Sequence, residues 1–247
     1  MKIGIGAGSE IRKVAEALEG VTGDITVVCY ASPGTGAAFP PGTDVVESGQ
    51  PEAALVSDLA SGAIDAAVRG ALPASSTLSR LKKAMGVERL ERVALLETAT
   101  GTRFLLAPVG VDEGWTISDK LALIEKSRAI ARRFGLDEGT AVLSGGRLGD
   151  VGRHERVDAT LAEAELVARL AGADHTEILI EDAVRDHGII IAPDGICGNL
   201  IFRTLVFLGG GVGHGAPVVN IDRIFVDTSR ASPNYANAIL LASALVK

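Results

Sequence analysis

The stretch RFLLAPVGVDEGWTISDKLALIEKSRAIARRFGLDEGTAVL, Arg103–Leu143, decides the fold class. It opens on an apolar run of strand length, Arg103–Ala107, and closes on another, Thr140–Leu143. Between them Leu123, Ile124, Ile130, Ala131 and Phe134 recur at the spacing of one helix face. Ser118 stands where a cap is wanted, and Gly135 follows the last apolar position, where left-handed backbone ends a helix most easily. Strand, helix and strand in that order form the unit of a parallel sheet, because a crossover between parallel strands needs the length of a helix.

Outward from this unit the same alternation continues. Further strands are predicted at Lys2–Ile5, Ile25–Cys29, Ala66–Arg69, Val93–Glu97, Gly188–Ala192 and Arg223–Val226. Helices are predicted over about Asp158–Leu170, over Gly198–Leu208, and from Ser232-Pro233 through Ala236, Ile239, Leu240, Ala242 and Leu245. The expected class is therefore α/β, a mostly parallel sheet with helices on both faces. Tyr30–Pro51, rich in Gly, Pro, Ser and Thr, reads as a long loop.

Composition sets the outer bounds. The 247 residues are 47% apolar, enough for a sizeable buried core. No apolar run approaches the roughly 18 residues that span a bilayer. Two cysteines, Cys29 and Cys197, make neither a disulfide framework nor a zinc motif, so a cytoplasmic chain without a metal site is expected. A net charge of -7 with 4% aromatics argues against a nucleic-acid surface, whereas a few arginines suffice for a small anion. The four histidines form no paired metal motif and read as solvated loop residues, while Trp115 and Tyr235 read as packing residues.

Four segments could carry chemistry. Gly4-Ile5-Gly6-Ala7-Gly8 follows the first strand. A dinucleotide fingerprint would want a further glycine at Ser9 and a carboxylate where the second strand ends in Cys29-Tyr30-Ala31. A tight turn built of small residues is the simpler reading. Ser144-Gly145-Gly146-Arg147-Leu148-Gly149-Asp150 follows a strand directly. It is either a flexible connection or a cradle of backbone N–H groups with Arg147 as the cation. Pro193-Asp194-Gly195, then Gly198-Asn199 and Arg203, lie where a buried strand gives way to a helix. They serve as a turn with a helix cap or as ligand-facing polar groups at the carboxyl edge of the sheet. Asp227-Thr228-Ser229-Arg230, before a helix expected to be capped by Ser232 with Pro233 first, is the strongest of the four. A strand would deliver Ser229 and Arg230 beside the positive end of a helix, a phosphate or carboxylate clamp.

These segments in this order resemble the phosphate acetyltransferase and butyryltransferase superfamily. The likeness includes Gly70-Ala71-Leu72 with Ser75, Thr77 and Arg80, and the turn Leu208-Gly209-Gly210. Closer is the methanogenesis marker protein 4 family, also called the MtxX methyltransferases. Its signatures are similar to Leu143-Ser144-Gly145-Gly146-Arg147, Ile191-Ala192-Pro193-Asp194-Gly195 and Val226-Asp227-Thr228-Ser229-Arg230.

The resemblance implies an isocitrate/isopropylmalate dehydrogenase-like fold of the phosphate acyltransferase type, with two α/β domains and an interdomain cleft. The first domain would comprise about 1–90 plus 222–247, and the second 91–221. It implies a homodimeric transferase that takes a small anionic molecule or a coenzyme, coenzyme A-like or methanogenic. The expected contacts are Ser229, Arg230, Arg80, Ser144, Arg147, Asp194, Gly198, Asn199 and Arg203, with no metal. Two departures stand out. Ala236 replaces an aspartate of the acetyl-transferring members, and Gly145-Gly146-Arg147-Leu148-Gly149 replaces their Ser-Thr-Lys-Gly loop. A binding or regulatory protein that kept the site, and a metal- and nicotinamide-dependent dehydrogenase of the same fold, are the alternatives.

Overall fold

Most strands of the computed structural model are short, apolar and buried on both sides, and helices lie between most of them. The structure describes all residues from Met1 to Lys247 except Ser9 and Pro233. Contacts divide the chain into two compact units, Met1–Leu90 with His214–Lys247, and Glu91–Gly213.

In chain order the first unit begins with β1 (Lys2–Gly6), α1 (Ile11–Glu19), β2 (Thr26–Ala31), β3 (Asp44–Glu47), α2 (Pro51–Ser61), β4 (Ala66–Val68) and α3 (Ala74–Met85). The second unit follows with β5 (Ala94–Glu97), β6 (Arg103–Ala107), α4 (Ile117–Phe134), β7 (Thr140–Leu143), α5 (Glu155–Ala171), β8 (Asp174–Glu177), α6 (Ile180–Asp186), β9 (Ile189–Ile191) and α7 (Gly195–Phe207). The chain then runs through β10 (Val212–Pro217) and completes the first unit with β11 (Ile224–Asp227) and α8 (Ala236–Val246).

Strands of the first unit lie in the order β3-β2-β1-β4-β11-β10, parallel throughout except for β10 against β11. Those of the second lie in the order β5-β6-β9-β7-β8, with β5 antiparallel in a hairpin closed at Thr98–Thr102. All eight strands expected from the sequence are present, and the sheets are mostly parallel.

Leu55, Leu59, Leu72, Leu81 and Phe225 fill the core beside the first sheet. The opening glycines belong to that packing. A Cβ on Gly6 would stand 2.1 Å from Leu72 Cδ1, and one on Gly70 the same distance from the Gly6 carbonyl oxygen. Gly70 also has φ +58°, so a side chain there would be strained as well as crowded.

Three strands escaped the sequence reading. β3 lies inside the expected loop Tyr30–Pro51. Its two apolar residues, Val45 and Val46, are flanked by acids, and pairing with β2 makes it a strand. Glu47 then orders the loop by accepting hydrogen bonds from the backbone N–H groups of Gly34 and Gly36, at 2.9 and 2.6 Å. β8, Asp-His-Thr-Glu, carries no apolar residue at all and is strand only by its ladder with β7. β10 holds two glycines, which intrinsic preference assigns to turns.

Helix starts also needed correction. Thr116, not Ser118, caps α4. Its hydroxyl accepts from the Asp119 N–H at 3.1 Å, and the Asp119 carboxylate accepts from the Thr116 N–H at 3.2 Å. His154 and Asp194 cap α5 and α7, each starting about one turn earlier than the apolar pattern suggested. α8 begins at Ala236 rather than at Ser232, whose N–H closes a turn onto the Ser229 carbonyl at 3.0 Å. The expected first helical residue, Pro233, lies outside the described residues. Ser118 is exposed and outside the cap. Thr116→Ala is therefore expected to cost about 1 kcal/mol and Ser118→Ala almost nothing, as measured by urea denaturation.

Candidate functional site

In parallel sheets the carboxyl ends of strands gather polar loop residues, and the first unit follows this rule. β11 ends at Asp227, beside Arg69 just after β4, and both side chains are about nine-tenths buried. Arg69 Nε donates to Asp227 Oδ1, and Arg69 Nη1 donates to the Leu72 carbonyl at 2.8 Å. The same carboxylate oxygen accepts from the Thr228 N–H at 2.8 Å, and Thr228 Oγ1 donates to the Gly70 carbonyl at 2.9 Å. Charges so deeply placed are tolerable only when paired and fully hydrogen-bonded. The consequence is a fixed exit from β11, from which half-buried Ser229 and exposed Arg230 follow.

Ser229 Oγ accepts from the Ala231 N–H at 3.2 Å, and the Arg230 carbonyl accepts from Lys13 Nζ at 2.9 Å. The Lys13 ammonium also lies 5.8 Å from the centre of the Tyr235 ring. Tyr235 packs as expected, fully buried, yet its hydroxyl has no hydrogen-bond partner among the described residues. Burial pushes that hydroxyl's pKa up, while the charges of Arg69 and Arg230 pull the other way. Lys13 and Arg230 thus bring two cations to this edge, with buried Tyr235 against Lys13. Arg69 had been read only as a strand end; an arginine closing a run of Ala-Ala-Val was the signal available.

Arg80 is placed differently. It donates to Gln50 Oε1 at 2.9 Å and stands 3.9 Å from Glu52, at the start of α2. Among the described residues no hydrogen bond or ion pair joins it to Ser229 or Arg230.

In the second unit, the glycine-rich segment after β7 is an ordered turn and not a loose connection. Buried Ser144 donates to the Gly146 carbonyl at 2.9 Å, and Gly145 N–H donates to Thr160 Oγ1 at 2.9 Å. Leu148 N–H donates at 2.9 Å to Oε1 of Glu177, which itself holds the unusual φ of +58°. Asp150 accepts from the Arg147 N–H at 2.9 Å and from Arg153 at 2.6 Å. These two bonds, the backbone one first, hold the Asp150 carboxyl below its ordinary pKa. The Arg147 side chain is exposed at the tip.

His175 was read as a solvated loop residue, and the structure corrects this. It sits on β8 with its side chain 5% exposed, Nε2 lying 2.9 Å from Ser144 Oγ and Nδ1 lying 3.1 Å from Glu165. Nothing in the sequence marks this grouping, since Ser144, Glu165 and His175 come from three separate elements. His154 caps α5, and His187 lies 2.9 Å from Asp174. Trp115, read as a packing residue, is 47% exposed, with its indole N–H on the Val111 carbonyl at 3.1 Å.

The Asp194–Arg203 stretch fastens α7 to the segment after β6. Asp194 accepts the Cys197 N–H at 2.8 Å, and Asn199 Nδ2 donates to the Val109 carbonyl at 3.0 Å. A Cβ on Gly198 would stand 1.9 Å from the Pro108 carbonyl oxygen, and one on Gly195 would stand 1.5 Å from that of Gly110. Glu113, buried in the same segment, is bound by Arg92 at 2.6 Å; burial pushes its carboxyl pKa up while Arg92 opposes. Arg203 places its guanidinium 5.2 Å from the centre of the Phe207 ring. Among the described residues no cluster of three or more His, Cys, Asp or Glu side chains could hold a metal ion. No helix is long and apolar enough to cross a membrane.

Against known proteins, the chain is 54% identical over 209 residues to the "Putative methyltransferase mtx subunit X" of Methanosarcina mazei, covering 83% of this chain and 75% of that one. The chain belongs to this family. An uncharacterized methyltransferase of Methanopyrus kandleri is 39% identical over 258 residues, covering 99% of both chains. No family model matches. Among solved structures, a branched-chain phosphotransacylase from Enterococcus faecalis aligns over 100% of this chain and 99% of its own, with TM-score 0.77 at 17% identity. The isocitrate dehydrogenase of Methylococcus capsulatus aligns with TM-score 0.54 at 12% identity, over 99% of this chain and 84% of its own. The chain thus has the phosphate acyltransferase-type fold that the resemblance implies.

The buried Arg69–Asp227 pair is the feature of the first unit's edge most sensitive to single substitution. Asp227→Ala is expected to cost about 3–5 kcal/mol, because it leaves a buried guanidinium unpaired. Replacing both residues with apolar ones should recover part of that loss, as measured by denaturant unfolding of the two variants.

Proposed function

We propose that the protein is a transferase that binds an anionic small molecule or coenzyme, with Ser229 and Arg230 as the anion clamp and a methyl or acyl group as cargo. The observation that carries this reading is the exit from β11. Paired and buried Arg69 and Asp227 fix it, and it presents a hydroxyl and a guanidinium beside Lys13. Such donors, carried on a fixed stretch of backbone, can meet charge that develops on a transferring group. Arg80 is a further cation of the reading and must leave Gln50 to take part, and Arg147 is the cation that the second unit offers to an anion of its own. The relatives' methyltransferase name and the phosphotransacylase fold support transfer chemistry. Relatives from Methanosarcina and Methanopyrus accord with a place in methanogen metabolism. The ligand of the proposal is a coenzyme A-like or methanogenic coenzyme.

A thermal-shift screen with phosphate, acetyl phosphate, coenzyme A and S-adenosylmethionine tests the clamp. A ligand at one hundred times its dissociation constant should stabilise the native chain by about 2.7 kcal/mol. Arg230→Ala should abolish that gain, whereas equal stabilisation of both proteins would overturn the assignment. Binding without turnover of any acyl, phosphoryl or methyl donor would favour a regulatory binding protein instead.

The proposed homodimer draws on α7. Ile196 and Leu200 are 47 and 60% exposed along this helix, which carries one cation, Arg203, and Leu208 just past its end is 84% exposed. Beside it lies an apolar groove of about 760 Å³ lined by Phe104, Val184, Leu200 and Leu205, with Glu181 and Arg185 at its rim. A surface bearing apolar ridge, groove and both charge signs can complement a second copy of itself about a two-fold axis. Sedimentation should show a dimer that Leu200→Glu converts to a folded monomer. A native monomer at micromolar concentration would remove the reading.

A further inference from the structure

Three hydrogen bonds converge on Ser144 and His175, and with Glu165 ionised a neutral imidazole cannot supply protons for all of them. Ser144 Oγ lies 2.9 Å from the Gly146 carbonyl oxygen and 2.9 Å from His175 Nε2. His175 Nδ1 lies 3.1 Å from a carboxylate oxygen of Glu165. A carbonyl and a carboxylate only accept, and a hydroxyl carries one proton. If Ser144 gives its proton to Gly146, both ring nitrogens must donate, and the ring is an imidazolium. In a neutral ring one nitrogen bears a lone pair. If that nitrogen is Nε2, it draws the Ser144 proton away from Gly146; if it is Nδ1, it faces the carboxylate without a proton between them. The Ser144 residue and the His175 side chain are 2 and 5% exposed, so water is poorly placed to replace the Ser144–Gly146 bond, whereas the Glu165 side chain, 67% exposed, stays open to solvent.

We propose that His175 and Glu165 are positioning residues for the glycine-rich loop Gly145–Gly149, acting through Ser144, and that the proton on His175 latches this loop. Protonated, His175 donates to Ser144, which then holds Gly146 and the turn that carries Arg147. Deprotonated at Nε2, it accepts the Ser144 O–H hydrogen bond, and the Gly146 carbonyl is released. Histidine is the side chain whose charge ordinarily changes between pH 5 and 8.

Surrounding charges leave the latch to His175. Glu165 is the carboxylate that meets the ring from α5. On β8 itself Asp174 turns to His187, and Glu177 accepts from Leu148 N–H. On α6, Arg185 is held by Asp182 and Asp186. At the foot of the loop, Asp150 is held by Arg147 N–H and Arg153, and Asp158 accepts from Gly152 N–H. Asp150, with its carboxyl already held low, stays charged throughout the window.

The idea deepens the proposed anion site, because Arg147 rides on this loop, yet its test needs no ligand. On the full-length chain, imidazole ¹⁵N shifts report the protonation midpoint of His175. Hydrogen exchange, normalised to intrinsic rates, reports protection of the Arg147 and Leu148 amides from pH 5 to 8.5. Protection is expected to fall about fivefold, the worth of one hydrogen bond, with the same midpoint as the ring. His175→Gln, which keeps a donor but cannot titrate, should give a flat profile. Protection that ignores the ring's midpoint, or that keeps its pH dependence in His175→Gln, would overturn the latch. Neither result bears on Arg230, so loss of the latch and loss of the anion clamp are separable outcomes.

Discussion

Arg69 and Asp227 close the carboxyl edge of the first sheet at neighbouring strands, and the loops of that edge take their places from the pair. β4 and β11 are buried on both faces, so the charges at their ends must find each other or go unsolvated. Once paired, they leave a second set of requirements behind them. Gly70 must be a glycine because it turns with φ +58° against the Gly6 carbonyl, and Thr228 must reach back to the Gly70 carbonyl. Ser229 and Arg230 inherit a fixed starting point from this arrangement. A flexible arginine on a rigid base loses less freedom on binding an anion than one on a wandering loop.

The second unit solves the same problem without a buried ion pair at its glycine-rich edge. Its loop after β7 is held by hydrogen bonds to Thr160, Glu177 and Asp150, with Ser144 at its root. Glu177 pays for its role with left-handed backbone at the point where the β7–β8 register shifts. Asp194, Gly195, Gly198 and Asn199 serve packing first. They cap α7 and admit the 108–110 carbonyls to within reach of the helix backbone, which explains why these residue types stand there whatever else they touch.

Similar folds on phosphotransacylases and dehydrogenases show that this architecture carries more than one chemistry, so the function must be argued from the site. What distinguishes this chain is local. A Gly-Gly-Arg-Leu-Gly loop is rooted on a Ser–His–Glu chain of hydrogen bonds, and a Ser-Arg exit is rooted on a buried ion pair.

Much of this was legible in the residues alone. Apolar runs of strand length and the helical spacing of Leu123, Ile124, Ile130 and Ala131 identify a parallel α/β chain, because both faces of such strands are buried and leave an uninterrupted apolar signature. Segment order and signature phrases pointed to the family. Tertiary structure decided the rest. β8 has no apolar residue and exists through its ladder with β7, and β3 depends on β2 in the same way. The partner of Arg69 lies 158 positions away, and Ser144, Glu165 and His175 meet only when β7, α5 and β8 pack together. Local sequence carries the propensity of an element, but a long-range hydrogen bond or ion pair is a property of the fold that brings its ends together.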